Sequence, residues 1–264
     1  ANAVPPPKVR GAPQAPRDPR VGLRRSAGYR PPVLLVGEGN FSFCAALARR
    51  LGCGQGLVAT TVDPETPADS EAEAKGPVAL CRSQGCEILY DVDATQLLRV
   101  QQLQGRHFRC IVFNYPHTDH EYDDVSICVE GNCFMIKAFF LQATQLLRES
   151  GEIHLTLQDQ PGSLHRRLEI PQLAAEASLE LVDVVRFRHG DWPGYRYVGS
   201  RGQRPVSAPD FEPSYTFCFA RTGARRPSVA ARLYPVCLAR AWALGALLPL
   251  RSPLDRLRPE RRDD

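Results

Sequence analysis

The sequence predicts an α/β fold: a doubly wound, mostly parallel sheet with an antiparallel last strand. Three observations predict it. Short β-rich apolar runs alternate about five times with segments of helical period. Each run is closed by punctuating residues, namely Gly37-Glu38-Gly39, Asp63-Pro64, Asp91 with Asp93, and Asn114-Tyr115-Pro116. Between the last two runs a long Gly/Pro/Arg loop replaces the helix, which suits an antiparallel strand.

The elements follow in order. Val33–Val36 is a first strand, closed by Gly37. Ser42–Leu51 has apolar residues at helical spacing and stops at Gly52. Leu57–Val62 is β-rich. Ala68–Ser83 is Ala- and Glu-rich and predicts a helix, interrupted by Gly76-Pro77. Glu87–Tyr90 is a strand and Thr95–Leu103 a helix. Arg109–Phe113 is a strand. Asn132–Arg148 is a long helix, and Ser150-Gly151 caps it. Glu152–Leu157, a helix near Leu164–Ala177, and strands at Leu181–Phe187 and Tyr215–Ala220 complete the pattern.

Three regions are expected. Residues 1–31 are a Pro/Arg-rich arm with little apolar periodicity, expected to be disordered. Residues 32–221 form the domain. Residues 222–264 are a basic, Pro/Leu-rich tail, expected to be largely disordered. The apolar run Val236–Leu250 is too short and too interrupted for a membrane span, which needs ~20 apolar residues. The chain starts at Ala1 and its one Met is Met135, so it is expected to be a fragment or a processed form.

The net charge of +4 hides a split. Residues 1–31 carry seven basic residues against one acidic, and residues 221–264 carry ten against four. Each end is therefore +6, which leaves −8 for residues 32–220. Phosphate-driven RNA binding would have to come from the tails, a local patch or a partner. The 9 cysteines include no Cys-x-x-Cys pair, and several lie in apolar runs. They read as buried free thiols in a reducing compartment, so an intracellular setting is expected. Cys128, Cys133, His117 and His120 fit no common zinc spacing.

In doubly wound sheets, ligands bind at the carboxyl ends of the strands, where the strand order reverses. The turn Gly37-Glu38-Gly39-Asn40-Phe41 lets backbone N–H groups approach a ligand. A dinucleotide turn wants a third glycine, but Phe41 and Ser42 follow Asn40 with no glycine, and Glu38 brings a negative charge. Both features favour a ligand without phosphates that joins a cationic amino-acid group to an adenosine, as S-adenosylmethionine does. Asp63 can accept both ribose hydroxyls, or simply form a turn before Pro64. Asp93 can accept from an adenine amino group, or cap the following helix.

Asn114-Tyr115-Pro116-His117 resembles the Asn-Pro-Pro-Tyr type of loop in amino-group methyltransferases. There an Asn side chain and a backbone carbonyl hold the target nitrogen, and an aromatic ring stacks on the base. His117 is a candidate general base, since uridine N3 must lose a proton before methylation. No Gly-x-Ser-x-Gly elbow and no phosphate-binding Gly-x-x-x-x-Gly-Lys-Ser/Thr loop is present.

The blocks VLLVGEGNFSFCAAL (33–47), DVDATQL (91–97), IVFNYPH (111–117) and GEIHLTL (151–157) together resemble the 25S rRNA (uridine-N3)-methyltransferase-like family. The resemblance covers roughly residues 32–221 and implies a Rossmann-like, S-adenosylmethionine-dependent rRNA methyltransferase, cytoplasmic or nucleolar. Pro193–Gly199 and Tyr215–Arg221 are similar to a branch in which this domain precedes a ferredoxin-fold anticodon-binding domain. That branch brings tRNA in as a possible partner. The family usually has Asn-Phe-Pro-His-x-Gly, whereas Thr118-Asp119-His120 follows here, beside Glu121, Asp123 and Asp124. This acidic loop suits an RNA backbone poorly. The resemblance therefore also leaves open a catalytically silent module that serves a tRNA-binding partner domain.

Overall fold

The computed structural model describes residues 28–65, 76–118, 125–158, 168–198 and 213–228, with 230–232 and 234. Its strands are β1 (Val33–Val36), β2 (Leu57–Thr60), β3 (Glu87–Leu89), β4 (Phe108–Asn114), β5 (Leu147–Gln158), β6 (Leu179–Phe187) and β7 (Ser214–Arg221). Its helices are α1 (Ser42–Leu51), α2 (Pro77–Ser83), α3 (Val125–Leu146) and α4 (Ile170–Ala175). The seven strands lie in the order β3-β2-β1-β4-β5-β7-β6. All neighbours are parallel except where β7 runs against both β5 and β6. The predicted antiparallel last strand is therefore present, inserted between β5 and β6.

Strand periodicity divides the core. Leu34, Val36, Ile111 and Phe113 face one side and pack with Ile136, Phe139, Phe140 and Ala143 of α3. Val33, Leu35, Cys110 and Val112 face the other side and pack with Phe43, Cys44 and Leu47 of α1. Because both faces are covered, all four residues of β1 are buried, and the strand is uniformly apolar instead of alternating.

Several boundaries differ from the sequence expectation. The predicted helix Thr95–Leu103 is two 3-10 turns, Ala94–Arg99 and Gln101–Leu103, with Val100 extended between them. The helix expected to begin at Asn132 begins at Val125. Asn132 does not start the helix: it is buried inside α3, where its amide accepts from the Thr118 N–H and donates to Thr118 Oγ1 and the Cys128 carbonyl. Leu147 already pairs with Phe108, so residues 148–151 form a bulge in β5 and do not cap a helix. Of the two other predicted helices, only Pro77–Ser83 and Ile170–Ala175 appear; residues 68–75 and 164–167 lie outside the described residues, and the few described residues at the flanks are not helical.

The folded unit also extends past both expected ends. Tyr29 is buried against Phe43, His154 and Trp192. Beyond β7, Ala230 and Tyr234 join the core, and the Tyr234 ring lies 4.9 Å from that of Phe217. These few residues are therefore part of the core, and the remainder of the arm (1–27) and most of the tail lie outside the described residues. Among the described residues, no helix is long and apolar enough to cross a membrane.

Candidate functional site

The strand order reverses between β1 and β4, and a cavity of about 570 Å³ opens at the carboxyl ends of those strands. That size falls within the ~300–1,000 Å³ usual for small-ligand sites. Gly37, Glu38, Gly39, Asn40, Asp63, Asp93, Asn114, Tyr115, Pro116 and His117 all line it. Residues spread over 80 positions of sequence thus converge on one hollow. Phe41 is the exception: it does not line the cavity.

The third glycine of a dinucleotide turn would fall at position 42, where Ser42 begins α1. Phe41 takes the left-handed conformation, φ 57°, that glycine would usually take, and its ring is buried edge-on to Tyr90. Packing in the core offsets a backbone cost of roughly 1–2 kcal/mol. Gly37 is required on two counts. Its φ is +67°, and a Cβ there would come within 2.5 Å of the Phe113 ring. Gly37→Ala is expected to destabilise the fold by about 2–4 kcal/mol, since left-handed strain and overpacking add. Thermal melting checks this.

Glu38 does the work that a phosphate does in dinucleotide sites. Its carboxylate accepts from the backbone N–H of Cys44, 3.2 Å away, and from that of Phe43, so it covers the N-terminus of α1. The side chain is only 7% exposed. Burial pushes its carboxyl up to about 7, with the two N–H bonds opposing that rise. An anion at this helix end is thus built into the chain, which excludes a pyrophosphate there and leaves a negative edge for a cationic group.

Asp63 is exposed after β2, and its backbone N–H donates to Thr61 Oγ1. Asp93 caps the first 3-10 turn. Its carboxylate accepts from Thr95 N–H and Thr95 Oγ1, both at 2.8 Å, and from Gln96 Nε2 at 2.9 Å. Partial burial works to raise this carboxyl, but those three bonds prevail and hold it below its ordinary range. Any ligand contact of Asp93 is shared with this capping role.

Asn114 ends β4, and both polar atoms of its amide are buried without a hydrogen-bond partner among the described residues. Tyr115 follows with φ 50°, its N–H bonded to the Thr156 carbonyl. Its ring is not an open platform. At 5% exposure it lies nearly parallel to His189 and edge-on to Tyr197, with its hydroxyl 3.1 Å from His189 Nε2. His117 is exposed, and its Nδ1 lies 2.5 Å from the Thr118 carbonyl oxygen. A carbonyl only accepts, so Nδ1 is the donor, and in the neutral ring Nε2 keeps its lone pair. Asn132 in turn pins Thr118, and so fixes the loop that carries His117.

Two parts of the wall were not legible as site residues. Phe134 and Met135 of α3 line the cavity, and Phe134 is 72% exposed. Its exposure breaks the apolar face that periodicity assigns to the core. The second part is a strap, Tyr195-Arg196-Tyr197-Val198. Asn40 Nδ2 and Ser42 Oγ donate to the Arg196 carbonyl, and Arg196 N–H donates back to Ser42 Oγ. The motif at 193–199 was visible in the sequence, but nothing in it shows a partner 154 positions away.

The strand order with its antiparallel β7, and a nucleoside-sized cavity at the switch point, define a methyltransferase-type α/β domain. The chain belongs to the BMT5-like family, described as rRNA (uridine-N3-)-methyltransferase, whose profile matches residues 34–199. It is 30% identical over 174 residues to heavy metal-associated isoprenylated plant protein 41 of Arabidopsis thaliana, covering 65% of this chain and 33% of that protein. It is 32% identical over 180 residues to human ferredoxin-fold anticodon-binding domain-containing protein 1, covering 65% of this chain and 28% of that one. The chain thus spans about a third of the length of these relatives. Among solved structures it is similar to the glycopeptide N-methyltransferase MtfA complexed with sinefungin, at 11% identity and TM-score 0.44, covering 74% of this chain and 82% of that one.

Proposed function

We propose that the chain is an S-adenosylmethionine-dependent RNA base methyltransferase that modifies N3 of a uridine in rRNA. The observation that carries this reading is the buried, unpartnered amide of Asn114 on the cavity wall. Leaving such groups unpaired costs about 1–3 kcal/mol each, so a site that keeps them expects a polar ligand. A uridine supplies one. The amide nitrogen can donate to a carbonyl beside N3, where charge collects once N3 loses its proton. His117 Nε2 is the acceptor for that proton, and the exposed Phe134 ring offers a face to the base.

The cofactor fits the other half of the cavity. When bound, it supplies an electrophilic methyl group on a sulfonium. Gly37 and Gly39 leave room for its amino-acid part, Glu38 meets its ammonium, Asp63 its ribose hydroxyls and Asp93 its adenine amino group. Rate would come chiefly from aligning N3 with the methyl carbon.

Calorimetric titration of the full chain with S-adenosylmethionine tests the first half. Micromolar binding is expected, abolished in Gly39→Arg, whose side chain would grow into the cavity toward Val198. Mass spectrometry of rRNA transcripts incubated with the loaded protein tests the second, with N3-methyluridine expected. Absence of cofactor binding by folded protein would favour a silent module serving a tRNA-binding partner. The engagement of both Asp93 carboxylate oxygens in its cap is the observation on that side.

A further inference from the structure

The strap residue Arg196 has no role in the reading above, yet the chain fixes its backbone with three hydrogen bonds to the glycine turn, from Asn40 and to and from Ser42. It is the one Arg or Lys among the described residues that line the cavity. Three carboxylates, Glu38, Asp63 and Asp93, line the same cavity, and Arg196 makes no ion pair with any of them. Asn40 also ties the Arg196 backbone to the turn that carries Glu38, two residues away, so an exposed cationic residue is anchored beside the buried carboxylate on the same cavity wall.

We infer that Arg196 binds the carboxylate of the cofactor's amino-acid end, the partner of the ammonium that Glu38 meets. The inference rests on the cofactor assignment proposed above. Guanidinium and carboxylate match as planar, bidentate partners, and the pair reads a zwitterion: an anion for the ammonium, a cation for the carboxylate. The ligand class so selected is an α-amino acid joined to a nucleoside. A nucleoside without that amino-acid part gains nothing from either residue.

The test compares S-adenosylmethionine with 5′-methylthioadenosine, which keeps the adenosine and lacks the amino-acid group, by calorimetry on the full chain. Wild type is expected to prefer S-adenosylmethionine. Arg196→Met is expected to lose about tenfold in affinity for it, the scale of one exposed charge-assisted contact, with methylthioadenosine unchanged. Arg196→Lys, which keeps charge without the fork, falls between. Methylthioadenosine serves as the folding control, because its retained affinity shows an intact adenosine site. An unchanged affinity of Arg196→Met for S-adenosylmethionine overturns the inference. So does an equal loss for both ligands, or a loss confined to a single-stranded RNA probe, which would place Arg196 on a phosphate. Failure of wild type to bind either ligand overturns the cofactor assignment itself.

Discussion

Cofactor affinity is expected to rise about 100-fold between pH 5 and pH 7.5, and Glu38→Gln is expected to flatten that rise. The carboxyl of Glu38 sits at about 7 because it is buried. The cofactor's ammonium favours its ionised form, so each pH unit below that value costs about tenfold in apparent affinity. Binding at pH 6 should release close to one proton, measurable as a buffer-dependent heat. In Glu38→Gln the amide oxygen can still accept the Cys44 N–H, so the α1 cap persists while the charge is gone. Affinity in that variant should be low at every pH. A pH profile identical to wild type would remove Glu38 from the ammonium site.

The same group makes stability depend on pH with a defined sign. The folded carboxyl titrates at about 7 and the unfolded one near 4.5. The stabilising contribution is complete below 4.5 and is lost as pH rises through 7, because between those values the unfolded chain ionises first. The loss is about 3 kcal/mol, taking 1.36 kcal/mol per unit. Denaturant melts of the unliganded chain at pH 5 and pH 8 measure it. Glu38→Gln should remove this dependence and match or exceed wild-type stability at pH 8. Stability held back by a buried charge, and recovered when that charge is deleted at the expense of binding, is the pattern of a functional site.

The sequence disclosed the sheet and the points where its strands end, because those depend on local signals. Val33–Val36, Leu57–Thr60 and Phe108–Asn114 are apolar runs closed by Gly or Asp, or ending in the Asn that opens Asn-Tyr-Pro, and the switch-point rule then places the closing residues together. What escaped depends on distant pairs. Glu38 looked like a free loop acid until α1 was seen to end on it. Tyr115 looked like an open platform, but its surroundings come from the end of β6, where Phe187 lies, and from His189 and Tyr197 in the segment after it, all more than 70 positions away. Asn132 stood as the first residue of a predicted helix, but it lies inside α3, and its partner Thr118 lies 14 residues back. The strap at 195–198 has no period at all, and three hydrogen bonds tie it to a turn more than 150 positions earlier.

Asn114→Ala is expected to cut methyl-transfer efficiency by about 10²–10³-fold while leaving cofactor affinity unchanged, the range seen when one donor to a developing negative charge is removed. The stability of the variant is the more discriminating measurement. A structural asparagine is bonded, and deleting it costs stability because its partners are left unpaired. Here the amide has no partner among the described residues, so deleting it removes two buried, unsatisfied atoms and orphans nothing. Thermal stability should therefore hold or rise despite the loss of a side chain at the end of a central strand. Asn114→Asp separates charge from shape: the carboxylate keeps the volume but repels a uridine losing its N3 proton, so its rate should fall at least as far as that of Ala. A variant that melts several degrees lower with transfer intact would make Asn114 a strand terminator and nothing more. A variant that folds normally, binds cofactor normally and no longer transfers would place the target base against this one amide.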